Sequence, residues 1–403
     1  MIDSIEETDT GKTIWLIVCA VSMGGFLFGY DTGVIPAVLI NMGSDLGKPL
    51  SSNEQELVTS ITSGGALIGS VVAGMTADKY GAKLAIYVGC IIFFIGSIIQ
   101  ATAYSLAKLT VGRLVVGFGV GEAAMIVPLY IGEMAPARFR GRLIFFDNFC
   151  VTFGQLISYA LGAAFTIVAS GWRYMVGLGA IPALLLIAMM PLCPETPRQL
   201  LLHAKIFPQV TDQQADAKAI LIRHSLEETI ASISDKSLLW QMRQLFTVCP
   251  SVQALITACA VMAVSQLGSN TIIYYSTTLF SIVGFDKPTV VSIVVGAINL
   301  IIGFPNFIFI YRFGRRRMLL VTILGMASLP LVVASVAFHW IPINHNLTVT
   351  MMNSVTCWRC NIIISSTFLS MMKGMTPSGA FGFYAGIGFL RFIFAVFCYP
   401  EVP

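Results

Sequence analysis

Runs of about 20 apolar residues recur along the chain between short polar turns, and each is long enough to cross a bilayer as a helix. The pattern predicts spans near residues 14–39, 56–77, 84–105, 109–131, 143–168 and 172–193. A polar stretch, 194–250, then interrupts the series. Its charges, among them Lys205, Asp212, Arg223 and Glu227, are patterned as in short amphipathic helices lying on the protein. Spans resume at 251–283, 288–310 and 316–341. Two further candidates are less clean: 349–373 is interrupted by Asn353, Arg359 and Asn361, and 377–398 by Arg391. The expected protein is all-α and polytopic, with eleven candidate helices. Its parts are a polar tail (1–13), a group of six helices (14–193), a helical linker (194–250) and a second group of about five (251–403).

Composition agrees with this reading. Apolar residues make up 56% of the chain and charged residues 11%, against about a quarter charged in soluble proteins. That balance excludes an ordinary cytosolic enzyme, a disordered chain and a nucleic-acid binder. The net charge of +4 matters less than its placement. With the N-terminus in the cytoplasm, sixteen Lys and Arg fall on the inner side and four on the outer side through the ninth span, which sets the direction. The glycosylation sequon at Asn346 then lies outside. The acidic N-terminus lacks the basic region of a cleaved signal peptide, so the first span is expected to remain as an anchor. The nine cysteines are scattered, mostly within apolar runs, and the four histidines are unpaired, so neither a disulfide framework nor a metal or other cofactor is expected.

The two halves echo each other. Asp78-Lys79-Tyr-Gly81 after the second span has its counterpart in Tyr311-Arg312-Phe-Gly314-Arg315-Arg316 after the eighth, offset by 233 residues. Pro194-Glu195-Thr-Pro197 and Pro400-Glu401-Val-Pro403 are offset by only 206, so the second half is 27 residues short between these landmarks. That is the size of one helix and its connection. The parity of the spans asks for the same missing helix.

Ionisable groups at membrane depth are costly, and each is a functional candidate. Asp31 lies well inside the first span and Arg113 near the start of the fourth, at comparable depth. A carboxylate facing a fixed guanidinium can take up and release a proton as the pairing breaks and forms, which suits proton coupling. The alternative is an ion pair that only locks two helices. Glu122 and Asp147 are further candidates, either as a second relay or as buried neutral acids. Gly117-x-Gly119-x-Gly121, like Gly64, Gly65, Gly69 and Gly74, reads as close helix packing. No nucleophile elbow, phosphate loop or paired catalytic carboxylates appear, so no enzyme is expected.

Several motifs then occur in a specific order. They are Gly24-Gly-Phe-Leu-Phe28-Gly-Tyr30-Asp31-Thr-Gly33, the Asp78-Lys79-x-Gly81 turn, Gly112-Arg113, Tyr130-Ile-Gly-Glu133-Met-Ala-Pro136-Ala-Arg138-Phe-Arg140-Gly141, Phe153-Gly-Gln155-Leu and Pro194-Glu195-Thr-Pro197-Arg198. Asn270-x-x-x-Tyr274-Tyr275-Ser276, Gly296-Ala-Ile-Asn299 and Gly314-Arg315-Arg316 continue the series. Together they resemble the sugar-porter family of the major facilitator superfamily, and most of all its fungal-type proton-coupled myo-inositol transporters. The resemblance implies two helical bundles around a midplane site, alternating access, the plasma membrane, and a small neutral polyol or sugar carried with a proton. It gives Asp31 and Arg113 the coupling role. It points to Phe28, Gln155, Gln266, Asn270, Tyr274, Tyr275, Asn299, Trp358 and Asn361 for substrate contact, where amides match hydroxyls and aromatic faces cover ring carbons. It places Asp78, Glu133, Arg140, Glu195, Arg315 and Arg316 in ion-pair networks that close the cytoplasmic gate.

The departures from the family carry their own expectations. Gln266 sits one residue out of the family's register, which turns it by about 100° on a helix. The tenth helix is the piece absent from the second half. Its Glu and Arg would have partnered Arg315 and Arg316, so weakened inner closure is expected. Besides proton-coupled symport, the residues leave open a facilitative hexose carrier and a truncated, non-transporting or sensing member of the same family.

Overall fold

A computed structural model describes residues 12–135, 137–196, 273–278, 280, 281 and 286–313. The linker, the ninth to eleventh spans and the expected helix deficit lie outside the described residues. Within them every regular element is helical. The first crossing consists of α1 (Lys12–Val21) and α2 (Met23–Asn41), which meet at Ser22. It is followed by α3 (Ser52–Tyr80), α4 (Ala82–Ala101), α5 (Leu106–Met134) and α6 (Ala137–Ala164). The sixth crossing is made by α7 (Gly171–Leu178) and α8 (Ala180–Met189), and α9 (Pro288–Phe313) belongs to the second half. Among the described residues six crossings are long and apolar enough to span a membrane, from Thr13–Asn41 to Gly171–Leu192.

Their ends depend on local chemistry that apolar runs do not record. The second crossing starts earlier than predicted because Ser51 and Glu54 form a capping box: Ser51 N–H donates to Glu54 Oε2 at 2.9 Å and Glu54 N–H to Ser51 Oγ at 3.4 Å. The third is shorter than predicted. It ends at Ala101, where Lys108 Nζ takes the Thr102 carbonyl at 2.8 Å and Ser105 begins the next helix by capping Lys108 N–H at 3.3 Å. Between α3 and α4 stands a single residue, Gly81, at φ +95°. A side chain there would be strained, which accounts for a glycine in that turn.

Helix α5 is the centre of the bundle. It packs against α3 on one face and α4 on another, while α2 packs against α6. The glycine series on α5 serves both of its faces. Side chains at Gly117 or Gly121 would strike the Thr62 and Ala66 carbonyls of α3, and one at Gly119 the Gly89 carbonyl of α4. Gly65 and Gly69 of α3 answer against Leu114 and Phe118. Gly64 corrects the packing expectation, because a Cβ there meets nothing within 4 Å. Gly25, Gly29 and Gly33 repeat every fourth residue along α2 and let it lie against Asp147, Val151, Gln155 and Ser158 of α6. Close backbone approach replaces the hydrophobic driving force that lipid cannot supply. Gly121→Val is expected to force α3 and α5 apart and to cost about 1–3 kcal/mol or more, read as a lower melting temperature of the purified protein in detergent.

One end of the bundle is basic, with Lys79, Lys83 and Arg142 at its turns. At the other end Trp172 Nε1 donates to Asp45 Oδ2 at 2.9 Å, tying the 42–51 loop to the start of α7. Hydrogen bonds from Ser170 and Trp172 hold the Asp45 carboxyl below its ordinary range. The second half meets the first through α9, which packs along α6.

Candidate functional site

Asp31 and Arg113 face each other inside the bundle. Arg113 Nη1 donates to Asp31 Oδ1 at 2.6 Å, with the two side chains 1% and 8% exposed. Arg113 Nε reaches the Val58 carbonyl of α3 at 3.5 Å, so one guanidinium spans α2, α3 and α5. The neighbouring Tyr30 is fixed by its hydroxyl, which donates to the Met175 carbonyl of α7 at 2.7 Å. Asp31 therefore sits on a helix whose rotation is set by glycine packing on one side and by a tyrosine anchor on the other. The pair is charge-assisted, short and buried, so its members are strongly attracted while both are ionised. Protonating Asp31 removes the charge that holds Arg113.

A second set of polar groups lies where the halves meet. Asn299 Nδ2 on α9 donates to Gln155 Oε1 on α6 at 3.0 Å. One turn along α6, Tyr159 donates its hydroxyl to the Ile273 carbonyl at 2.9 Å, and its ring lies against Gly296 of α9. Tyr274 and Tyr275 are buried and join the apolar cluster of Tyr30, Val34, Ile35, Val38 and Trp172. Phe28 is half-buried and packs on the core of the first bundle. Asp31 is thus paired with Arg113 and Gln155 with Asn299, and the tyrosine pair borders the first helix. Gln266, Asn270, Trp358 and Asn361 lie outside the described residues.

At the basic end Glu133, Arg140 and Glu195 are half-buried, and none of the three stands free. Tyr130 donates its hydroxyl to the Pro194 carbonyl, and Lys83 Nζ donates to the Pro191 carbonyl at 3.2 Å, so the end of the sixth crossing is tied to α5 and α4. The side chain of Asp78, together with Arg315, Arg316 and Asn346, lies outside the described residues. Among the described residues no three His, Cys, Asp or Glu side chains cluster as metal ligands.

Reading the sequence assigned no site role to Tyr159 or Tyr30, whose hydroxyls bond carbonyls 114 and 145 residues away. A signal for Tyr159 was present, since it follows Gln155 by four residues and so shares its helix face.

Apolar crossings gathered round a buried ion pair, with an amide seam to the second half, form a fold similar to that of solved transporters of the major facilitator superfamily. The chain belongs to the sugar (and other) transporter family, whose model matches residues 17–353. It is 36% identical to Myo-inositol transporter 1 of Cryptococcus neoformans var. grubii, over 98% of this chain and 80% of that protein. It is 35% identical to Myo-inositol transporter 2 of Schizosaccharomyces pombe, over 99% of this chain and 81% of that protein. In fold it is similar to the xylose transporter XylE from E. coli in a partially occluded inward-open conformation, with a TM-score of 0.76 at 23% identity, covering 97% of this chain and 99% of that one. These relatives are transporters, and the chain is an integral, multi-pass membrane protein. The alignment with the Cryptococcus protein runs over 454 positions, more than the 403 residues present here. That relative therefore carries internal segments without a counterpart in this chain.

Proposed function

We propose that this chain carries a neutral polyol, myo-inositol in preference to hexoses, together with a proton, across the plasma membrane by alternating access, with its N-terminus in the cytoplasm. The observation that carries the reading is the buried Asp31–Arg113 contact at 2.6 Å. Ionisable residues at that depth are rare and mark functional sites by default, and a proton on Asp31 frees the guanidinium and with it the contact among α2, α3 and α5. The names of the fungal relatives support the polyol. The Gln155–Asn299 amide pair supports it chemically, since each amide both donates and accepts and can exchange its partner for a substrate hydroxyl. A substrate bridging these two amides draws on both bundles, which is what a rocking carrier needs from its ligand.

A second reading, a non-transporting member of the family, is favoured by the internal positions that the relatives have and this chain lacks. Uptake of labelled myo-inositol and of glucose in a transporter-null cell, with external pH as the variable, decides between them. Concentrative, acid-stimulated inositol uptake supports symport. Uptake that only equilibrates supports a facilitative carrier, and no uptake of either substrate supports the second reading.

Asn299→Leu is expected to leave the Gln155 amide unpartnered, at about 1–3 kcal/mol. The loss should appear mainly in the KM for inositol, raised about tenfold or more, with the pH dependence of uptake unchanged.

A further inference from the structure

Among the buried acids that the coupling scheme does not use, Asp147 on α6 has a side-chain oxygen without a partner. It is 6% exposed, and its Oδ1 is fully buried with no hydrogen-bond partner. It abuts α2 at Gly25, where a side chain would meet its carboxyl oxygen. None of the described residues forms an ion pair with it. Among the described residues the titratable groups around it are Cys150, three residues on along α6, and Cys19 of α1, which lies within reach of Cys150. Glu122 of α5 faces α4 instead, against Gly89. Arg140 is on the same helix seven residues nearer the basic end, about 10 Å along the axis. A bare carboxylate in such a place costs several kcal/mol, and glycine on the facing helix offers it nothing. The ligand that relieves the cost within the space present is a proton.

Its position along the membrane gives that proton a use. Gly25, which Asp147 touches, precedes Asp31 by six residues on α2, a displacement of about 9 Å towards the basic end. We propose that Asp147 is a second proton-binding site, placed between the Asp31–Arg113 pair and the basic end of the bundle. The O–H bond of the Asp31 acid breaks as Arg113 returns, water carries the proton over the interval, and an O–H bond forms at Asp147. Release of the resting Asp147 proton to the basic end precedes this transfer, so its carboxylate stands bare only between the two steps. The proposal rests on the coupling role given to Asp31.

The test uses the whole chain in proteoliposomes, with Asp147→Asn and Asp31→Asn side by side. Infrared difference spectra after a pH jump report protonated carboxyls directly, and Asp147→Asn is expected to remove one carbonyl band of the wild-type spectrum. The same variant is expected to keep inositol exchange, which shows that it is folded. Net uptake should fall about tenfold or more, as when a proton-transfer group is lost, with a flattened dependence on pH at the basic side. Asp147→Ser serves as a second neutral variant should the amide fail to reach the membrane. An unchanged infrared spectrum, or a pH profile that superimposes on the wild type, overturns the proposal. If Asp31→Asn still accumulates inositol, the coupling reading fails instead, and the infrared arm judges Asp147 separately.

Discussion

Asp31→Asn is expected to abolish accumulation of substrate against its gradient while leaving exchange across the membrane in place. The substitution keeps the size and hydrogen-bonding reach of the side chain, so the Arg113 contact at 2.6 Å can persist as a neutral-acceptor bond. What disappears is the exchangeable proton. In a coupled carrier each pH unit across the membrane supports about a tenfold concentration ratio, and all of that is lost when the acid cannot titrate. Proteoliposomes with an imposed pH gradient give the measurement: the variant should reach only the external inositol concentration. Persistent accumulation would show that another group carries the proton.

Removing the other partner has a different consequence. Arg113→Leu strands Asp31 in a bundle where it is 6% exposed. Breaking a buried pair from one side costs about 3–5 kcal/mol, because the remaining charge is left uncompensated. The Val58 carbonyl of α3 also loses its donor. We expect a large fall in melting temperature in detergent and little protein at the cell surface. Adding Asp31→Asn to Arg113→Leu should recover much of the stability, since the stranded charge is then gone, yet restore no coupling. If the double variant were as unstable as the single one, the guanidinium would be acting through packing and not through charge.

These two outcomes separate the coupling acid from its clamp. In the proposed cycle Asp31 is the group that binds and releases, and Arg113 sets when it does so. The Gln155–Asn299 seam supplies the other half of that proposed cycle, because opening the halves at this level breaks the amide bond and the Tyr159 bond to Ile273 together. Substrate that satisfies the amides makes that opening less costly. In the cycle as proposed, the carrier is thereby biased to rearrange when both proton and polyol are bound.

Much of this was legible along the chain. Lipid imposes a length on every crossing and a high cost on every charge within it, so spans, turns and the exceptional acids Asp31, Glu122 and Asp147 stand out in one dimension. Helix boundaries shifted where caps intervened, as at Ser51 and Ser105, and α6 begins at Ala137, six residues ahead of its apolar run. Partnership was another matter. Arg113 and Asp31 are 82 residues apart, and Gln155 and Asn299 are 144 apart. Whether such groups meet depends on how each helix is rotated and how deep it sits, and these are set by which glycines touch which backbone. The series Gly117-x-Gly119-x-Gly121 shows the limit. Its composition announced close packing, but only the assembled bundle divides it between α3 and α4. Local hydrophobicity thus decides that a segment crosses and where the charge along it lies. Contact across helices is a property of the packed assembly, because no stretch of chain holds both partners.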